Sequence, residues 1–155
     1  LRLRNELSPK ARAERVREVL AMVRLDASAV DKYPHQFSAG EQQRIAIARA
    51  ISTEPELVVL DEPTSALDRS VQKQIVELLR KLQADNDLSY LFISHDLAVV
   101  RAMADYIIVM KQGRIVEEGP TEEIFDAPRE EYTRTLMAAA LDSARFRAGE
   151  SGREH

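Results

Sequence analysis

Four consecutive apolar residues, Leu57-Val58-Val59-Leu60, run straight into two carboxylates, Asp61 and Glu62. So short and continuous a run, preceded by Pro55, predicts a strand covered on both faces, as in a parallel sheet. The pattern then recurs in outline. Val71, Ile75, Leu78, Leu79 and Leu82 mark one face of a helix, and Tyr90-Leu91-Phe92-Ile93 predicts a second buried strand ending at Ser94-His95-Asp96. Strand–helix–strand units with short links imply an α/β sheet with right-handed crossovers. Ligands of open sheets bind beyond the carboxyl ends of the strands, where Asp61, Glu62 and His95 all fall.

The flanking segments carry their own start and stop signals. Ser8 followed by Pro9 reads as an N-cap and first helical position, and Val16, Val19, Leu20 and Val23 give an apolar face, so a helix is expected from about Pro9 to Arg24. The stretch from Asp26 to Phe37 should be short turns and loop. Ser38-Ala39-Gly40-Glu41 matches the reciprocal Ser-x-x-Glu capping box, and the helix it opens continues through Ile45, Ile47, Ala48 and Ile51. Beyond the second strand come a helix near Leu97–Ala104 and a hairpin of Tyr106–Met110 and Arg114–Glu117 joined at Gln112-Gly113. Helices near Thr121–Phe125 and Glu130–Leu141 follow, and Asp142–His155 reads as a frayed tail. There is no internal repeat.

Composition sets the class. With 45% apolar residues in 155, the chain is long enough to bury a core. No apolar run approaches the ~18 residues that span a bilayer, so any membrane role needs a partner. Without cysteine there is no basis for a disulfide, a zinc site of thiolates or a thiol nucleophile, and a cytosolic setting is the default. A net charge of -4 argues against general nucleic-acid binding. The basic stretch Leu1 to Arg24 and the acidic stretch Ile115 to Glu131 read as solvated helical faces. The chain starts at Leu1 rather than a methionine and is expected to be a fragment.

Adjacent carboxylates after a buried strand can divide labour: one holds Mg²⁺ through its water shell, the other positions or deprotonates an attacking water. Taken alone, solvated carboxylates in a strand-to-helix loop are the commoner explanation. Other motifs shift that balance. Phe37-Ser38-Ala39-Gly40-Glu41-Gln42-Gln43-Arg44 resembles the signature motif of ABC ATPases, and Leu57–Glu62 resembles their Walker B strand. Pro63-Thr64-Ser65-Ala66-Leu67-Asp68 is similar to their D-loop, and Phe92-Ile93-Ser94-His95-Asp96 to their switch-histidine region. The resemblance covers roughly Ser8 to Leu141 and names the chain as the C-terminal part of an ABC transporter ATP-binding subunit.

That resemblance implies a partial P-loop NTPase-like parallel sheet with helices, plus part of an α-helical signature subdomain. Residues 1–53 would belong to the helical subdomain, 54–141 to the catalytic α/β core, and 142–155 to a flexible tail. It implies ATP and Mg²⁺ as ligands. Asp61 would be the Mg²⁺ carboxylate, Glu62 the general base, and His95 the contact to the γ-phosphate. Ser38, Ala39, Gly40, Glu41 and Gln42 would face ATP held by an opposite cassette, with Gly40 permitting close approach and the helix start forming an anion site. Asp68 would work across the dimer interface. Ala39 and Glu41 depart from the family's usual glycine and glutamine, and weaker ATP-dependent closure is the expected consequence. His35 has no such context and reads as structural.

The 155 residues contain no Gly-x-x-x-x-Gly-Lys-Ser/Thr loop to cradle phosphates, so these residues alone are expected neither to bind ATP tightly nor to hydrolyse it, and to self-associate through an incomplete sheet. Gly119-Pro120-Thr121-Glu122-Glu123-Ile124-Phe125 with Tyr132-Thr133-Arg134-Thr135-Leu136 is similar to the oligopeptide and dipeptide importer ATPases. Asp68-Arg69-Ser70-Val71-Gln72 and Glu131-Tyr132-Thr133 resemble the second cassette of fused peptide importers. The resemblance then implies a second ATPase cassette, membrane permease subunits and, indirectly, a periplasmic binding protein as partners, with the ATPase on the cytoplasmic face of the inner membrane. An ABC-type ATPase of DNA repair or translation is the alternative.

Overall fold

Helix α1, Pro9–Met22, begins where its cap is written: the Ser8 hydroxyl accepts the N–H of Ala11 at 3.2 Å, and proline occupies the first turn. It ends two residues before the expected Arg24. There the backbone turns left-handed (φ +59°) and the N–H of Leu25 returns to the carbonyl of Leu20, a Schellman-type closure. The computed structural model describes residues 8–139 of the chain. The described residues divide into two compact units, one within Leu1–Ile93 and one within Ser94–His155.

In the first unit, two 3₁₀ turns (Ala27–Asp31 and Pro34–Gln36) lead to α2, Ala39–Ile51. Strand β1, Leu57–Asp61, is joined to β2, Ser89–Ile93, through α3, Arg69–Asn86. The two strands pair in parallel, with Leu57 opposite Ser89 and Asp61 opposite Ile93. One face of the pair is anchored to α3, since the half-buried Tyr90 hydroxyl donates to the Leu79 carbonyl at 3.0 Å. Ile75, Leu78, Leu79 and Leu82 are buried with Val58 and Leu60, as the apolar periodicity requires.

The opposite face is open among the described residues. Leu57 and Val59 are 56% and 57% exposed, and Leu91 and Ile93 are 49% and 46% exposed. These strands are therefore covered on one side only among the described residues. A continuous apolar run gives strand and burial potential but does not say which face finds a neighbour, because that depends on segments distant in sequence.

In the second unit, α4 (Leu97–Met103) precedes a hairpin of β3 (Tyr106–Lys111) and β4 (Arg114–Pro120), followed by α5 (Thr121–Asp126) and a helical stretch at 131–139. Gln112 and Gly113 both have positive φ, 51° and 75°, as a two-residue hairpin turn needs. A register shift at Val109/Met110 marks a bulge, and β4 runs three residues past the expected Glu117. Ile107, Val109, Ile124 and Met137 form the core of this unit. The Glu117 carboxylate accepts the N–H groups of Arg129 and Glu130 at 2.7 and 3.2 Å, fixing the segment that opens 131–139. Among the described residues no helix is long and apolar enough to cross a membrane. Leu141 and the expected tail at 142–155 lie outside the described residues.

Candidate functional site

The start of α2 is a closed polar circuit. The Ser38 N–H and hydroxyl both donate to Glu41 Oε2 at 2.8 Å, and the Glu41 N–H returns to the Ser38 oxygen at 3.3 Å. This is the expected capping box with one further bond. Donation from the Ser38 backbone, then from its hydroxyl, holds the Glu41 carboxyl below its ordinary value of 4.5. Gln42 is committed too: its amide donates to the carbonyls of Pro34 and Phe37 at 3.1 and 3.2 Å, tying the helix to the turn before it. Arg44, one turn on, donates to the Val23 carbonyl and to Gln74 of α3. Ala39 is exposed and Gly40 half-buried. His35 is exposed and stacks on Tyr33.

The end of β1 is built differently. Asp61 is exposed and pairs with Ile93, and the Glu62 N–H donates to the Ile93 carbonyl at 2.9 Å, extending the pairing by one residue. Glu62 then adopts φ +48°, a left-handed conformation costing a non-glycine residue on the order of 1 kcal/mol. Its Oε2 atom is shielded from solvent. The turn is locked from below, because the N–H and the hydroxyl of Ser65 both donate to the Glu62 carbonyl. Buried Thr64 accepts from Gln72 at 3.3 Å. An exposed carboxylate followed by a partly sheltered one, at the carboxyl end of a parallel strand, suits a water-shelled Mg²⁺ beside a group that positions water.

Asp68 caps α3. Its Oδ1 accepts the N–H groups of Ser70 and Val71 at 2.9 and 3.0 Å and the Ser70 hydroxyl at 2.7 Å. The Val71 N–H, then the Ser70 hydroxyl, keep its carboxyl below the usual 3.8. His95 is exposed, two residues past β2, between Ser94, whose hydroxyl accepts the Asp96 N–H, and Asp96, which caps α4. It belongs to the second unit; Ser38 to Gln42, Asp61, Glu62 and Asp68 belong to the first. The strained Glu62 backbone has no sequence signal, since nothing short of a glycine or asparagine announces positive φ.

The first unit is thus an α/β arrangement of two parallel strands with a carboxylate pair at their carboxyl end and a capped glycine turn at the start of α2. The chain belongs to the ABC transporter family, whose family model matches residues 2–65. It is 56% identical over 136 residues to the peptidoglycan transport ATP-binding protein YejF of Agrobacterium fabrum, covering 88% of this chain and 25% of the relative. It is 52% identical over 126 residues to the oligopeptide transport ATP-binding protein OppF of Lactococcus lactis subsp. lactis, covering 81% of this chain and 40% of the relative. The chain thus spans less than half the length of either. A solved dimeric structure of the ATP-binding cassette MJ0796, in a post-hydrolysis state bound to ADP and Pi, superposes with a TM-score of 0.65 at 35% identity, over 76% of this chain and 50% of that one.

Proposed function

We propose that the full-length protein is an ATPase subunit that couples ATP binding and hydrolysis to the import of peptides or similar small substrates. The observation that carries this reading is the Asp61-Glu62 pair at the carboxyl end of β1, in a chain about half identical to transport ATP-binding proteins. Mg-ATP is the substrate. Asp61, exposed, would hold Mg²⁺ through water, and Glu62, half sheltered and fixed by its turn, would orient the attacking water. His95 contacts the terminal phosphate from the loop after β2. The Ser38–Gln42 turn and Asp68 serve ATP held by a second cassette. Residues 1–53 are read as the helical, signature-bearing part and 54–141 as part of the catalytic core, a division by role.

The partners of this reading are a second cassette, membrane permease subunits and, indirectly, a periplasmic binding protein, with the ATPase on the cytoplasmic face of the membrane. Nothing among these relatives favours DNA repair or translation. The test is Glu62→Gln in the full-length protein, with ATP binding and turnover measured separately. Binding should persist while kcat falls by about 100-fold or more, in keeping with loss of a group acting on the attacking water. A variant that turns over at the wild-type rate sinks the assignment. Residues 1–155 alone are expected to show no micromolar ATP binding in a calorimeter and to self-associate through the open face of Leu57, Val59, Leu91 and Ile93. A monomer by light scattering contradicts the second expectation.

A further inference from the structure

Gly40 has a reason to be glycine that requires no phosphate. A Cβ built on it would sit 2.7 Å from Cγ1 of Val71, the third residue of α3. Carbon atoms do not approach so closely without displacement. Val71 is badly placed to yield: a β-branched side chain in a helix holds essentially one rotamer, and its N–H is held by the Asp68 carboxylate at 3.0 Å. One turn further along the same two helices, Arg44 donates to Gln74 at 3.1 Å and to the Val23 carbonyl at 3.2 Å. The starts of α2 and α3 therefore meet at two levels, a close approach of Gly40 to Val71 and a polar bridge from Arg44. The side chain that fills the missing Cβ belongs to the turn capped by Asp68.

We propose that Val71 is a positioning residue for the nucleotide reaction: it sets the Ser38–Gly40 turn against the Asp68 turn, and this packing is what holds position 40 to glycine. The inference rests on the reading of both turns as nucleotide-facing, and it assigns Gly40 a packing duty in place of, or beside, clearing a path for phosphate. A helix N-terminus with a methyl group forced into Val71 must tilt or slide, and the turns at the two helix starts move relative to one another.

The test is a double-mutant cycle in the full-length protein with Gly40→Ala, Val71→Ala and the pair together. The readouts are the thermal midpoint, and kcat and KM for ATP well below every midpoint. Gly40→Ala should lower the midpoint by about 5 °C, the size of a modest overpacking penalty, and kcat by about tenfold. The double variant should recover most of both, with kcat within about threefold of Val71→Ala, because the shortened side chain admits the new methyl. Recovery of the midpoint without recovery of kcat overturns the positioning role and returns Gly40 to the ligand. An unchanged midpoint in Gly40→Ala overturns the packing itself. A wild-type protein without ATP hydrolysis would sink the proposed function, and with it the role of Val71 in the reaction, leaving the midpoints to judge the packing alone.

Discussion

The start of α2 and the end of β1 carry the two most informative motifs, and they are held in opposite ways. Ser38 and Glu41 close on each other within four residues, and every bond of that circuit is local. Asp61 and Glu62 owe their placement to Ile93, thirty-one residues beyond Glu62, and to a turn that forces Glu62 into left-handed backbone. One is a cap that forms wherever a helix begins; the other is a strained carboxylate kept in place by its surroundings. Strain of this kind persists only when the structure around it over-determines the conformation. The strand end is thereby held by contacts between distant segments, while the helix start is ordered by bonds of its own.

Replacing Glu62 by glycine separates strain from chemistry most sharply. Hydrolysis by the full-length protein should fall by about 100-fold or more, while the fold gains up to about 1 kcal/mol as the left-handed penalty disappears. Chemical denaturation alongside turnover measures both, and a destabilised variant would mean that the Glu62 side chain holds the turn together. Asp87→Gly, at the left-handed end of α3 (φ +52°), is the control for a gain of similar size without loss of turnover.

Next in size is the helix start. Glu41→Gln replaces a carboxylate beside the proposed phosphate position with a neutral amide that keeps the capping geometry. Turnover should rise by about threefold, under 1 kcal/mol of barrier. Identical rates in the two proteins would show that the departure from glutamine is silent. The same substitution carries a pH signature. Glu41 is held below 4.5 when folded, so its contribution to stability is complete above that value and disappears as the pH falls through its lower folded value. Acid unfolding of the Gln variant should lack that part of the slope.

Smaller still is the anchor beneath the strands. Tyr90→Phe removes the bond to the Leu79 carbonyl and should cost about 1 kcal/mol by urea denaturation. Burial pushes the Tyr90 hydroxyl up to about 12, so the folded state favours its neutral form. The stability this gives is complete below the ordinary value of 10 and is lost as the pH rises through 12. The Phe variant should therefore be less sensitive between those limits, and an equal alkaline loss would place the effect elsewhere.

Much of this was legible in the residues. The Ser8 and Ser38 caps, the Gln112-Gly113 turn and the strand–helix–strand order all lie where the sequence puts them. The four motifs pointed to the family to which the chain belongs. An incomplete sheet was expected, but which residues of β1 lie on its open face was not, because Leu57 and Leu60 look alike in a run of apolar residues although one is exposed and the other buried among the described residues. Nor did the approach of Val71 to Gly40, since residues thirty-one apart have no pattern that joins them.

By itself the sequence determined which elements form, in what order, and where the capped helices begin, because capping, turn chemistry and apolar periodicity act within a few residues of backbone. Only the tertiary structure decided which strand face is covered, that Glu62 bends left-handed to follow Ile93, and that a glycine of one helix is matched to a valine of another. Those are contacts between distant segments, and their energies depend on what has been brought alongside rather than on which residue comes next.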